Sequence, residues 1–223
     1  LISYNDEDVT KTSTYHIASY AQRKDYHYII KDKLNHIITN LQLQLPNLQA
    51  VAFVDTAPIL EKQWAVQCGL GWIGKNSLLT TQHFGNKVFI GEIICNFYSD
   101  YTKRIKDYCG SCHSCVDSCP NKAIKEDRTI DCNICISYQT IENKNIIDRD
   151  IDLKNYIYGC DICLNSCMWN NKAMKINNQD DEVKTLVCNS LNNISKGCFT
   201  EKDFQLLRKQ SPINRVKYNK FLS

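Results

Sequence analysis

Nowhere does this 223-residue sequence run apolar for the roughly 20 residues that a membrane-spanning helix needs, so a protein outside the bilayer is expected. No secretory signal is read in it, and a chain of this size with 23% charged residues has no need of covalent staples. Its 13 cysteines are therefore not read as a disulfide framework. A marked excess of charge of one sign is also missing: a net charge of +3 tolerates a polyanionic partner without demanding one. Low hydrophobicity is not among the absences, since 43% apolar residues suffice for a buried core and exclude a disordered chain. The sequence opens on Leu1 in mid-pattern, and residues upstream of it are expected.

What is abundant is cysteine in one stretch. Cys109-Gly-Ser-Cys112-His-Ser-Cys115-Val-Asp-Ser-Cys119-Pro120 is a C-x2-C-x2-C-x3-C-P run, and Cys160-Asp-Ile-Cys163-Leu-Asn-Ser-Cys167 follows it. The first pattern is that of bacterial ferredoxins, in which three thiolates hold one 4Fe-4S cluster and the fourth reaches to another. Two residues between thiolates let one loop wrap a cubane, whereas the longer step into Cys119-Pro120 turns the next sulfur away. One cluster is then expected on Cys109, Cys112, Cys115 and Cys167, and a second on Cys119, Cys160, Cys163 and one more thiol. Cys132 and Cys135, lying between the runs, both qualify. Zinc is the competing use of C-x2-C pairs, but three cysteines at consecutive x2 spacing match paired zinc knuckles poorly. Iron–sulfur ligation by reduced thiols places the protein in a reducing cytoplasm.

Ahead of the cysteines, residues 1–15 are polar and aperiodic and read as a surface segment or the tail of another element. Apolar positions from Ile17 to Leu41 recur at three and four, predicting one long amphipathic helix or two shorter ones over 16–45, ended by Pro46. Ala50 to Val54 reads as a buried strand running into Asp55, a place where ligands often meet a sheet. A helix is expected over 59–68, with Pro58 in its first turn and Glu61 at its N-terminus. Gly69, Gly71 and Gly74 spell G-x-G-x-x-G, but after a helix, the reverse of the dinucleotide-binding order. They are read as letting backbone approach a bulky partner. Residues 77–81 and 87–95 are expected to pair as a hairpin, residues 172–193 are polar and mixed, and 201–207 suggest a short helix. The tail from Arg208 to Lys220 is basic with an interleaved tyrosine. Such a run is usually a solvated surface, and a nucleic-acid contact is the sharper alternative.

Seven blocks, in order over most of residues 16–170, resemble the epoxyqueuosine reductases: Tyr20-Ala-x-x-x-Asp25-Tyr26-His27, Val54 to Glu61, Gly69 to Leu78, Phe89-Ile-Gly-Glu92, the Cys109 run, Cys135-Ile-Ser-Tyr-x-Thr-Ile-Glu142, and Tyr158-Gly-Cys-Asp-x-Cys163. The resemblance implies a cobalamin-dependent iron–sulfur oxidoreductase that deoxygenates epoxyqueuosine to queuosine at the wobble position of tRNA. It selects Cys135 as the eighth ligand, leaving Cys132, Cys68, Cys95, Cys188 and Cys198 as extra thiols expected mostly to be buried. It also implies Asp55 as proton donor, and a carboxyl desolvated beside Ala57-Pro58-Ile59-Leu60 would favour the neutral acid. The bland role for Asp55 is a helix N-cap ahead of Pro58.

For cobalamin the resemblance implies contacts from His27, Asp55, the backbone at Leu79 and Ile90, Ser137, and Cys160-Asp161. Lys75 and Asn76 would serve corrin amides or tRNA phosphates, unless Lys75 is simply solvated, and His27 has a bland alternative on a helix surface. Arg215, Lys217 and Tyr218 are local candidates for the anticodon loop, which is recognised by stacking and phosphate contacts. Met168 departs from the proline that usually follows the last ligand, and the family's start and its helical-repeat extension are not seen.

The expected architecture is α+β: a cobalamin-binding α/β-type domain over 1–105, a ferredoxin-like domain with two 4Fe-4S clusters over 106–170, and a short helical, basic tail over 171–223. A monomer served by an external low-potential electron donor is expected. Two other functions compete. A plain two-cluster electron carrier would leave the first hundred residues without a task, and a reductive dehalogenase relative would share the cofactors but take an organohalide and need no tRNA surface.

Overall fold

The structure, a computed structural model, describes residues 1–4, 8–10, 12–98, 102–174 and 181–222. Strands β1 (Ile2–Ser3) and β2 (His16–Ile17) and a 3-10 turn at Ser19–Ala21 precede helix α1 (Tyr26–Gln44). The helix expected from residue 16 therefore begins ten residues later. Asp25 sets that start by capping it, its carboxylate accepting the His27 amide at 3.0 Å. Only Ile30 and Ile38 of α1 are buried.

Strand β3 (Ala50–Phe53) leads to Asp55, and α2 (Glu61–Gln67) starts at Glu61, so Pro58 lies in the turn before the helix rather than in its first turn. The hairpin expected between 77–81 and 87–95 is replaced by other pairings. β4 (Trp72–Ile73) turns back on β5 (Leu79–Thr80), β6 (Val88–Phe89) pairs with β1, and β7 (Glu92–Cys95) pairs antiparallel with β3 from Ala50↔Cys95 to Phe53↔Glu92. Gly71 permits the β4–β5 turn, because a Cβ there would lie 2.1 Å from the Thr80 carbonyl oxygen. The close partner of this glycine is thus the chain's own backbone.

Short helices α3 (Ser114–Ser118) and α4 (Ile136–Ile141), strand β8 (Tyr156–Tyr158), and helices α5 (Ile162–Asn165) and α6 (Met168–Lys172) carry the cysteine runs. Then come α7 (Asp181–Ser195), α8 (Glu201–Gln210) and α9 (Tyr218–Phe221). A helix thus occupies much of the segment read as polar and mixed. Val183, Val187 and Leu191 form its buried stripe at intervals of one turn.

Packing interleaves the three segments. The larger core joins Ile17 and Ala21 near the start to Tyr158 of β8 and to Val187, Leu191, Phe204, Leu207, Ile213 and Phe221. β2 and β8 pair in parallel across about 140 residues of chain, His16 opposite Tyr156. A second core joins Tyr4, Ile30, Val54 and Phe89 to Leu164 of α5. Ser3, Tyr4 and Thr10 are buried, so part of the first fifteen residues is built into the fold, while Leu1, Thr12 and Thr14 lie on its surface. No helix among the described residues is long and apolar enough to cross a membrane.

Candidate functional site

The cysteine runs fold as turns and single helical turns, each of which aims a thiol. The Cys112 amide bonds back to the Cys109 carbonyl at 3.0 Å, α3 carries Cys115, and Cys119 leaves α3 in an extended conformation. Cys135 and Cys167 stand in extended conformation just before α4 and α6. The thiols sort by neighbourhood. Cys115 faces Cys167, Cys109 and Cys112, and these four line one pocket with Lys75, Asn76, Tyr108 and Trp169. Cys160 faces Cys135 and Cys119, and Cys163 faces Cys160 and Cys135 first and Cys115 of the other set after them, which places the two sets side by side.

Protein N–H groups are already directed at sulfur, from Trp72 Nε1 to Cys109 Sγ and from the Ala123 amide to Cys119 Sγ, both at 3.3 Å. As bare thiols, Cys115, Cys163 and Cys167 are raised by burial and Cys160 is pushed up to about 12, whereas the Ser114 hydrogen bond lowers Cys112. A coordinated metal reverses the effect of burial. Among the described residues no three His, Cys, Asp or Glu side chains close on a point as a single ion requires. Two sets of four thiols suit the outward ligation of cubanes better than zinc.

Cys132 stands apart, exposed and turned to the Ile130 carbonyl. The expected burial of the extra thiols does not hold: Cys68, Cys95, Cys132 and Cys198 are exposed and Cys188 is half-buried. Cys68 caps the C-terminus of α2 and Cys95 ends β7, positions outside both cores. Lys75 and Asn76 turn toward the cluster region, Lys75 Nζ lying 3.1 Å from His113 Nε2 and buried Asn76 reaching the Cys163 carbonyl at 3.5 Å.

A second constellation surrounds Asp55. Its backbone is left-handed, with φ of 55°, and its amide donates to Glu61 Oε1 at 2.5 Å. Three donors converge on Asp55 Oδ2: Tyr26 Oη at 3.2 Å, His27 Nε2 at 3.2 Å and an Arg215 guanidinium nitrogen at 2.7 Å. The other His27 nitrogen, Nδ1, meets Asp25 Oδ1 at 2.6 Å. Only an imidazolium can donate in both directions, and the bonds to Asp25 and Asp55 raise His27 to about 9.

The His27 hydrogen bond, helped by Arg215, holds the Asp55 carboxyl below its ordinary value despite partial burial. Asp55 is therefore ionised here, with its side chain 38% exposed, and not the desolvated neutral acid expected from its apolar neighbours. Nor is it an N-cap, since α2 begins only at Glu61. Nearby, both carboxylate oxygens of Glu92 are buried without a hydrogen-bond partner among the described residues, and burial raises this group to about 7.

The remaining expected positions have other employment. Asp161 is buried and its carboxylate accepts the Ser19 amide at 2.5 Å, so that side chain ties the start of the chain to the second cysteine run. Leu79 is buried and paired with Ile73, while Ile90 and Ser137 are half-buried. In the tail, Tyr218 donates to the Phe199 carbonyl and packs on Phe204, Arg215 is held by Asp55 and Glu142, and Lys217 is exposed. Arg215 and Tyr218 are thus internal ties rather than a free basic surface. Sequence reasoning gave no role to Tyr26, Asp25 or Glu142, although all three lie inside the blocks quoted above.

Residues 1–56 match the family described as epoxyqueuosine reductase QueG, and residues 108–170 match a 4Fe-4S double cluster binding domain. An epoxyqueuosine reductase of Cyclobacterium marinum is 40% identical over 208 residues, which are 92% of this chain and 66% of that protein. The structure of epoxyqueuosine reductase from Streptococcus thermophilus is 28% identical with a TM-score of 0.82, over 92% of this chain and 55% of the other. A crystal structure of an epoxyqueuosine reductase with an epoxyqueuosine-modified tRNA-Tyr stem loop is 29% identical with a TM-score of 0.64, over 68% of this chain and 40% of that one. The chain spans less than two thirds of the length of these proteins. Matched at both its N-terminal segment and its cysteine runs, and alike in fold over nearly all its length, the chain belongs to the epoxyqueuosine reductase family.

Proposed function

We propose that this chain carries the catalytic part of an epoxyqueuosine reductase, deoxygenating epoxyqueuosine to queuosine in the anticodon loop of tRNA. What supports this most is one fold holding two four-thiol sets together with a carboxylate–imidazolium pair on a left-handed turn. Two 4Fe-4S clusters are assigned, one to Cys109, Cys112, Cys115 and Cys167, the other to Cys119, Cys135, Cys160 and Cys163. By sequence, 1–105 is the cobalamin and catalytic segment, 106–170 the cluster segment and 171–223 the helical tail, although their cores are shared. The relative crystallised with a modified tRNA stem loop supports the choice of substrate. The protein acts in the cytoplasm as a monomer and draws on an external low-potential donor.

Turning an epoxide into an alkene breaks two C–O bonds, takes up two electrons and two protons and releases water. No side chain supplies the electrons, so redox cofactors must. Bound cobalamin supplies reduced cobalt able to attack or reduce the strained C–O bond. The residues present fit a corrin in that the two orphaned Glu92 oxygens, two residues past Ile90, would be satisfied by a ligand edged with amide donors. His27, Asp55, Ser137, Cys160-Asp161 and the backbone at Leu79 and Ile90 are assigned to its surroundings, with the Asp161 carboxylate already given to Ser19.

Asp55 is the proton donor to the departing oxygen. Its Oδ2 is taken up by three donors, and Oδ1, which none of them uses, is the oxygen that meets substrate. Because Asp55 is ionised at rest, its proton comes from His27, the imidazolium 3.2 Å from Oδ2 that Asp25 steadies from the far side, and a half-turn of the protonated carboxyl about Cβ–Cγ carries that proton to the side of the departing oxygen.

The test is anaerobic purification with cobalamin supplied, reading iron, sulfide and cobalt per chain, followed by turnover of an epoxyqueuosine stem loop. About eight irons are expected from two cubanes, together with bound corrin and formation of queuosine. Full iron without corrin uptake or turnover would replace this reading with the electron carrier.

A further inference from the structure

Arg215 lies 160 residues from Asp55 in sequence, yet its guanidinium bridges Asp55 Oδ2 and Glu142 Oε1, each at 2.7 Å. The loop that presents it is fixed from both sides. Ile213 and Val216 are buried in the larger core, and Tyr158 Oη bonds the Pro212 carbonyl at 2.9 Å, which leaves Asn214 and Arg215 turned outward between anchors. Asn214 Nδ2 reaches Asp25 Oδ2 at 3.5 Å, so consecutive residues contact the two carboxylates that flank His27. Asp55, in turn, sits in a left-handed conformation, which aspartate tolerates better than most non-glycine residues and which contacts from its surroundings hold in place. Besides its own amide bond to Glu61, Asp55 is tied by Tyr26 and His27 of α1 and by Arg215, and of these Arg215 makes the shortest contact and comes from furthest along the chain.

We propose that Arg215 is a positioning residue. Anchored on Glu142, it holds the Asp55 carboxylate in the turn that faces His27 and leaves Oδ1 toward the substrate. The proposal rests on reading Asp55 as the acid of this site. Arg215 touches the acid and not the reacting atoms, and it is not a phosphate contact of the tRNA. The geometry favours this role over a loose surface cation: a planar fork with both arms filled by carboxylates is set in place before any polyanion arrives.

The experiment compares Arg215→Gln, Arg215→Lys and the unaltered holoenzyme by stem-loop kinetics and by hydrogen–deuterium exchange of residues 53–60. With Arg215→Gln, kcat should fall about 100-fold, as displacement of a catalytic group by an ångström does. KM and its salt dependence should stay unchanged, exchange over 53–60 should rise, and the acid limb of the kcat–pH profile should move upward. The groups facing Asp55 in that profile are Tyr26 and His27 of α1, Glu61 of α2 and Arg215, with Asp25 and Glu142 one bond further out. Arg215→Lys, which keeps the charge without the fork, should recover part of the loss.

A raised KM with a salt slope smaller by about one and unchanged kcat would overturn the proposal and make Arg215 a phosphate contact. Unchanged exchange over 53–60 would also overturn it. If the unaltered holoenzyme fails to turn over the stem loop, the proposed function fails, while the exchange comparison still decides whether Arg215 holds the Asp55 turn. Should Arg215→Gln not fold, Glu142→Gln frees the far end of the bridge and should show a smaller loss of the same kind; no loss there would refute the anchoring.

Discussion

Three donors crowding one oxygen of Asp55 make the site an ionic device rather than an apolar acid pocket, and its behaviour with pH follows from that. His27 is raised from 6.5 to about 9, so its contribution to stability is fully present below 6.5 and is lost as pH rises through about 9. Thermal melts of the unaltered protein and of His27→Gln should therefore lie furthest apart near pH ~6 and converge by about pH 10. Asp55→Asn removes the acid while leaving a hydrogen-bonding side chain, and turnover of the modified stem loop should fall by about 10²–10⁴ with iron content unchanged. Cys135→Ser should lose iron, whereas Cys132→Ser should keep it, since of these two it is Cys135 that faces Cys160. The cysteines and Asp55 were legible because their identities are constrained by neighbours close in sequence: x2 spacings in one case, a strand end in the other. Arg215 was not, because nothing local distinguishes a lysine-rich tail on the surface from one arginine held between buried Ile213 and Val216.

Helices and strands divided along the same line. Where a residue close in sequence sets an element, as Asp25 does for α1 or the Thr200–Asp203 capping box for α8, the boundary has a local cause. The two-residue strands β1, β2, β4, β5 and β6 are too short to carry a period, and the partners of β1, β2 and β6 are chosen by tertiary packing, so the expected hairpin gave way to β1–β6 and β3–β7. Helix α7 is the opposite case. Its stripe of Val183, Val187 and Leu191 was present in the sequence but diluted by polar neighbours into an apparently mixed segment. Leu191 is fully buried in the larger core, and Leu191→Ala should cost about 2–5 kcal/mol, read as a lowered denaturation midpoint. Thr200→Ala, which unmakes the capping box of α8, should cost about 1 kcal/mol in the same assay.

On the scale of the molecule, a division by sequence into three stretches is not a division of the fold. Ile17 and Ala21 share a core with α7, α8 and α9, and Leu164 shares one with Tyr4 and Phe89. Removing residues 171–223 should therefore lower the helical circular dichroism by more than the missing helices and reduce the iron retained after reconstitution. A trimmed chain that keeps its remaining ellipticity and its full iron would show that the segments fold separately. The parallel pairing of His16–Ile17 with Tyr156–Tyr158, reinforced by the Ser19 amide on Asp161 beside Cys160, has a consequence in time. A ribosome adding about 5–20 residues per second leaves the first strand unpaired for several seconds, until Tyr158 has emerged. The thiols of the second run come into place only with that closure, so iron delivery to them waits for it and competes with whatever binds an exposed strand edge in the interval.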